Sequence, residues 1–243
     1  MRSRPNSSLQ GFDLACGGDW TFLAGVDEAG RGALAGPVVA AAVFLGREFY
    51  ARDVCRELEK GVDDSKRLSA AGREGAFERL HALAGQGAIF AGSGEGTVEE
   101  IAGLNILGAT RLAMRRAIEA VLSADGFPRE VEFRGERLDL FDEPPGNIAR
   151  IRLLVDGLPL KPFPFLHDGV VKGDGKSLAI ASASILAKVT RDRIMTRLDR
   201  LYPQYQFARH KGYGTSDHRR ALERNGPSPI HRRHFLRKIL HNK

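Results

Sequence analysis

Phe22-Leu23-Ala24-Gly25-Val26-Asp27-Glu28-Ala29-Gly30-Arg31-Gly32 is the stretch on which the fold turns. Its apolar first half reads as a short buried strand, and two acids followed by a glycine-rich turn mark where that strand ends. Residues 38–45 form the next strand; they are apolar throughout, as a strand covered on both faces must be. Ser69 is placed to cap a helix, and Ala88-Ile89-Phe90-Ala91 reads as a further strand. Leu104, Leu107, Met114, Ile118 and Val121 recur at helical spacing and predict a long amphipathic helix over residues 99–122. A strand over residues 151–156 ends in Asp156, and Gly169-Val170-Val171-Lys172 is a shorter one. Residues 178–198 are then helical, with Ile180, Ser184, Ala187, Val189 and Ile194 on or near the inner side. Strands alternating with helices predict a layered α/β domain.

The 243 residues are 42% hydrophobic and 28% charged, enough to bury a core without staples. Cys16 and Cys55 are the two cysteines, too few for a disulfide framework or a thiol-built zinc site, and a reducing cytoplasm fits them best. No apolar run approaches the roughly 18–20 residues that span a bilayer. The expected organisation is a flexible tail over residues 1–20, a main domain over 21–200, and a basic extension over 201–243 packing on it. Residues 125–150 break the rhythm with seven acids, four arginines and Pro144-Pro145-Gly146. They read as a surface insertion, with a hairpin built from Val131-Glu132-Phe133 and Arg137-Leu138-Asp139-Leu140, whose deletion over 127–149 is expected to be tolerated.

Net charge is +7, and ten Lys/Arg against Asp217 and Glu223 give residues 201–243 a net of +8. Such a region suits a polyanionic partner, nucleic acid first, although a solvated basic face has the same composition. Acids meet strand ends at Asp27, Glu28 and Asp156, and Asp174 stands between a strand and a helix. In α/β sheets such ends gather along one edge. Carboxylates gathered there repel one another, and hard divalent cations relieve that repulsion. Two ions about 3.5–4 Å apart can drive phosphodiester hydrolysis. Neighbours on a regular strand face opposite ways, so Asp27 and Glu28 share a site only if the chain turns there. Taken singly, each acid also fits a turn or helix cap.

The residues resemble the type 2 ribonuclease H (ribonuclease HII) family. The resemblance runs in order from about residue 22 to 235, through Gly25-Val26-Asp27-Glu28-Ala29-Gly30-Arg31-Gly32, Asp64-Ser65-Lys66, Leu104-Asn105-Ile106-Leu107, Val155-Asp156-Gly157 and Lys172-Gly173-Asp174. It continues through residues 183–192 and His210-Lys211-Gly212-Tyr213-Gly214-Thr215. It implies a ribonuclease H-like fold, a central mixed sheet flanked by helices with a helical C-terminal extension. It implies an endonuclease acting on RNA–DNA hybrids and on single ribonucleotides in duplex DNA, as in ribonucleotide excision repair. Cleavage would fall on the 5′ side of such a ribonucleotide and leave 3′-hydroxyl and 5′-phosphate ends. Asp27, Glu28, Asp156 and Asp174 are then the catalytic acids, holding Mn²⁺ or Mg²⁺, two per site. Gly30, Arg31, Gly32 and Tyr213 would recognise the RNA-to-DNA junction, where the 2′-hydroxyl is the distinguishing group. Lys66, Lys188 and Lys211 would contact phosphates, with Asn105 and Ser184 holding the strand. A cytoplasmic monomer is expected. Ala33 stands where the family commonly has proline, Ser182 where alanine is usual, and the segment at 125–150 is longer than typical.

Rival readings fail on spacing. Gly175-Lys176-Ser177 lacks the glycine a P-loop needs at position 170, which is Val170. Gly30-x-Gly32-x-x-x-Gly36 is one residue too long for a dinucleotide fingerprint. His210, His218, His231 and His234 lack cysteine or a well-spaced carboxylate and read as surface histidines among arginines. Tyr213, in a glycine-rich basic segment, reads as a surface residue. A non-cleaving nucleic-acid-binding module would have no need of four acids facing a polyanion. The related type 3 ribonucleases H carry an extra N-terminal domain, which about twenty residues before Phe22 cannot form.

Overall fold

The computed structural model describes residues 8–62, 68–134 and 148–240, with side chains as far as Arg237. Strand β1 (Phe22–Ala29) lies at the centre. It pairs antiparallel with β2 (Val38–Gly46), from Phe22↔Gly46 to Ala29↔Val39. On its other side it pairs parallel with β5 (Ala149–Asp156), from Phe22↔Ile151 to Val26↔Val155. β3 (Phe90–Gly96) extends the antiparallel side. β4 (Val131–Arg134) and β6 (Asp168–Val170) run in succession, both parallel, along the outer edge of β5. The sheet is mixed, as expected.

Helices cover both faces, and the side-chain alternation of the central strands shows why. Leu23 on β1 and Ala41, Val43 and Leu45 on β2 enter one core. Its cover is α1 (Leu9–Ala15), α2 (Asp53–Val62), α3 (Ala70–Gly85) and α5 (Leu178–Leu201). Ala24, Val26, Ala40, Ala42 and Phe44 enter the other, under α4 (Val98–Leu122). Period-two alternation with apolar residues in both phases is what a doubly covered strand requires. Two close approaches set the spacing. An added Cβ at Gly25 would lie 2.2 Å from the Ala179 carbonyl carbon of α5, so only glycine lets that helix rest on β1. On β3, Cβ atoms at Gly92, Gly94 and Gly96 would fall within 2.2–2.7 Å of the Ala117, Ala113 and Ala109 carbonyl oxygens of α4. A glycine row every second residue thus meets an alanine row every fourth.

The C-terminal extension is helical, with α6 (Phe207–His210), α7 (Ser216–Asn225) and α8 (Arg233–Leu240). It builds a third, smaller core from Tyr205, Phe207, Leu222 and Leu236 against Leu34, Ala35 and Met195.

Three expectations need correction. The stretch expected to be a flexible tail is, over its described residues, a capped helix docked on the core, with Leu9, Asp13 and Trp20 buried. Its apolar anchors are too widely spaced to register as a run. The segment at 125–150 is not a surface insertion where it is described. Phe127 is buried among Phe22, Phe44 and Phe90, with ring centroids 4.9–5.5 Å apart, and β4 belongs to the main sheet rather than to a local hairpin. Removing 127–149 would therefore strip a core aromatic and an edge strand; residues 137–140 lie outside the described residues. Leu104 and Leu107 are about half exposed, because α4 is broken at Asn105, with φ 58° and ψ 174°, which turns the first part of the predicted stripe off the core.

Gly25→Ala is expected to lower Tm by about 2–12 °C in thermal unfolding, since overpacking costs ~1–3 kcal/mol at ~2–4 °C for each kcal/mol. An unchanged Tm would show that α5 can retreat from β1 freely.

Candidate active site

Parallel pairing up to Val26↔Val155 makes Asp27 and Asp156 the next residues along their strands, side by side at the same sheet edge. β1 continues through Ala29, so the chain makes no turn between the two acids, the condition for their facing the same way. Asp27 and Glu28 point to opposite faces, yet each is electrostatically coupled to Asp156. Asp27 is buried. Its pKa is pushed up to about 7, first by burial and then by Glu28, with Asp156 adding to it and a hydrogen bond with Ser184 opposing. Burial also raises Glu28, while Arg31 donates to its Oε1 at 2.9 Å and draws it back. Asp156 Oδ1 accepts a 2.6 Å hydrogen bond from the Gly173 amide. Asp174 is the next residue, in the 3-10 turn Gly173–Gly175 that leads into α5. One backbone amide thus ties the turn carrying the fourth acid to the third.

The donor set suits a hard divalent cation, since all four groups are carboxylates and the most buried of them resists ionisation for want of compensating charge. As placed, the groups are neighbours rather than a closed ligand set. Among the described residues, no group of three or more His, Cys, Asp or Glu side chains is gathered to hold an ion.

The predicted recognition residues fall into distinct settings. Gly30 has φ +92° and packs on Arg191, where an added Cβ would lie 1.9 Å from Nε; the fold itself demands this glycine. Gly32 is exposed, and a Cβ there would meet open space, so nothing in the fold demands it. Arg31 is half exposed. Tyr213 is partly buried, with the Arg191 guanidinium carbon 5.3 Å from its ring centre. Lys188 pairs with Asp192 one turn along α5, and Lys211 donates to Thr196 Oγ1 at 2.9 Å. Asn105 Oδ1 accepts from the Leu107 and Gly108 amides at 2.9 and 3.2 Å, capping the second half of α4 after its break. Lys66, with Asp64 and Ser65, lies outside the described residues.

The histidines are corrected too. His210, His218 and His231 are buried rather than on the surface. His210 stacks on His218 at 4.4 Å, and the Nε2 atoms of His218 and His231 are 3.0 Å apart. Burial pushes His218 and His231 down to about 4, so neutral imidazoles pack there as small aromatics. Only His234 of the four is exposed. Sequence reading missed two buried arginines. Arg191 donates to the carbonyls of Pro37, Ala35 and Lys211, at 2.9, 3.1 and 2.9 Å. Arg232 donates to those of Gly36 and Arg31, at 2.9 and 3.0 Å. Together they fasten the loop after β1 to α5 and the extension. The available signal was Arg191 four residues after Ala187 and four before Met195, on the buried stripe of α5.

In the folded, metal-free state Asp27 holds its proton until about 7, against 3.8 ordinarily. Raised folded affinity for the proton means that stability is full below the ordinary value and is lost as pH rises through the folded one. Asp27→Asn is therefore expected to raise Tm in EDTA at about pH 8 by a few degrees, and to give little gain near pH 4. No gain at the higher pH would mean that the buried charge is already compensated.

A sequence profile for the family described as Ribonuclease HII matches residues 24–142 and 163–238. A protein named Ribonuclease HII from Paracidovorax citrulli is 46% identical over 214 residues, covering 88% of this chain and 74% of that protein. Another of that name from Chloroflexus aggregans is 44% identical over 233 residues, covering 95% and 93%. Among solved structures, the ribonuclease H2 from Pyrococcus horikoshii OT3 aligns with a TM-score of 0.62 at 24% identity, covering 90% of this chain and 96% of that one. A structure described as Bst-RNase HIII in complex with Mn²⁺ aligns with a TM-score of 0.61 at 16% identity, covering 93% and 72%. At such identities the two structures speak to the fold alone.

Proposed function

This chain belongs to the ribonuclease HII family, and we propose that it nicks duplex DNA on the 5′ side of single ribonucleotides as well as cutting the RNA strand of RNA–DNA hybrids. The observation that carries the reading is the placing of Asp27 beside Asp156, with Glu28 electrostatically coupled to both, next to the loop that Arg191 ties to the Tyr213 segment. Asp27, Glu28, Asp156 and Asp174 would hold Mn²⁺ or Mg²⁺, two per site. Bound there, the cations would supply Lewis acidity at the scissile phosphate.

The protein's own groups divide the remaining work. Ser184 and the Gly173 amide hold Asp27 and Asp156 in place. Asp27 would have to give up its proton to hold a cation, so metal uptake at neutral pH would release protons. Gly32, free of any packing demand, lets backbone approach the ribose closely, where a 2′-hydroxyl can be read. Tyr213 packs against the following deoxyribose, where a further hydroxyl would crowd it. Lys66, Lys188 and Lys211 neutralise phosphates and set register, and Asn105 helps hold the strand. Products carry 3′-hydroxyl and 5′-phosphate ends. Such an activity would serve ribonucleotide excision repair. No described helix is long and apolar enough to cross a membrane.

A gel assay on a duplex with one embedded ribonucleotide, in Mn²⁺ and in Mg²⁺, tests the reading. Nicking 5′ of the ribonucleotide that stops with EDTA is expected. Cleavage of hybrids with none at single ribonucleotides would reject it. Asp27→Asn or Asp156→Asn should each lose at least about 100-fold in rate, several kcal/mol of transition-state stabilisation. Near-normal turnover in either would remove that acid from the set. Tyr213→Ala is expected to cut nicking at single ribonucleotides by about tenfold or more, equivalent to ~1.4 kcal/mol, with its metal dependence unchanged. An unaltered substrate preference would refute the junction role.

A further inference from the structure

We propose that Asp13 is a positioning residue for the active site, fixing the first turn of α5 and through it the turn that carries Asp174. The inference rests on the assignment of the four acids above. Asp13 belongs to α1, ahead of the first residue matched by the family profile, and it is fully buried. Its Oδ2 accepts from the Tyr50 hydroxyl at 2.9 Å and from the Ala179 amide at 3.1 Å, across 166 residues of sequence. The first amides of a helix have no partner within it, and a carboxylate there also meets the positive end of the helix dipole. Ser177 satisfies one of those amides, accepting from Ile180 at 3.2 Å; Asp13 satisfies another. Burying a carboxylate is costly unless hydrogen bonds repay it, so a merely space-filling position would favour an apolar residue.

The anchor leads directly to the site. Gly173 accepts from the Lys176 and Ser177 amides at 2.9 Å each, while its own amide donates to Asp156. The turn bearing Asp174 is therefore strung between Asp156 and the helix end that Asp13 holds. Ala179, the residue bonded to Asp13, also presses on Gly25, two positions before Asp27, and Ser184 of the same helix meets Asp27. α1 is itself tied down: the Gln10 side chain donates to the Tyr50 carbonyl at 2.6 Å, and the Gln10 amide donates to Glu59 at 2.9 Å.

The test compares Asp13→Ala, Asp13→Leu and Asp13→Asn in the full chain. It reads kcat and KM on a hybrid duplex, Mn²⁺ binding by calorimetry without substrate, and Tm. Leucine fills the space without accepting, and asparagine keeps an acceptor for the Ala179 amide. Alanine and leucine are expected to lower kcat about tenfold with KM within about twofold, and to weaken Mn²⁺ binding at least about threefold. Asparagine should stay within about threefold of the parent in both. Full kcat and Mn²⁺ affinity in a folded alanine or leucine variant would overturn the proposal. So would an asparagine variant as impaired as alanine, because the hydrogen bond would then not be the cause. Asp156→Asn measured in parallel separates the two readings. If it stays active, the assignment of the acids fails; if it is inactive while Asp13→Ala is unimpaired, the positioning role alone fails.

Discussion

The parallel pairing of β1 with β5 is the constraint on which the rest of the molecule depends. It puts Asp27 beside Asp156, the last residue of β5. Strand continuity through Ala29 turns Glu28 to the opposite face from Asp27, yet leaves it electrostatically coupled to both aspartates. Burial first, and then the charges of Glu28 and Asp156, push Asp27 up to about 7. Neutral donors and Arg31 offset part of that cost. A divalent cation would offset much more, which makes the least comfortable corner of the fold its most apt place for a metal. Stability and chemistry pull in opposite directions at these residues, as they do at many catalytic centres.

Around that edge the scaffold is drawn unusually close. Glycines bring α5 against β1 and α4 against β3 at backbone-to-backbone range. On the far side of the site, Arg191 and Arg232 span carbonyls of the 30–37 loop, and Arg191 also reaches Lys211. A planar guanidinium with several donors can bridge diverging carbonyls where lysine could not. Burial lowers both arginines, Arg232 to about 9, which leaves Arg232 charged at neutral pH. The 30–37 loop and the Tyr213 segment are thus fastened together through buried hydrogen bonds rather than standing as independent surface loops.

Much of this was legible in the sequence. The continuous apolar run at 38–45 announced a doubly covered strand, and the acids following two apolar runs announced that carboxylates would stand side by side, because period and composition are local signals. What escaped was long-range. Asp13 gains its meaning from Ala179 and Tyr50, distant in sequence. Val131-Glu132-Phe133 looked like half of a hairpin, yet it finds its partner in β5, since a short polar strand carries no record of its neighbour. The break at Asn105 hid inside a helical pattern because one left-handed residue leaves the spacing of leucines intact. The histidines were assigned to the surface from the charge around them, whereas three of them are buried in aromatic packing with Phe207.

Whether the acids at 27, 28, 156 and 174 act as one ligand set is settled most directly by anomalous diffraction from crystals grown with Mn²⁺. The account predicts anomalous density between Asp27 and Asp156, contacted by Glu28 or Asp174, and its loss in crystals of Asp156→Asn. Density bound elsewhere on the molecule, with this edge empty at saturating Mn²⁺, would contradict it.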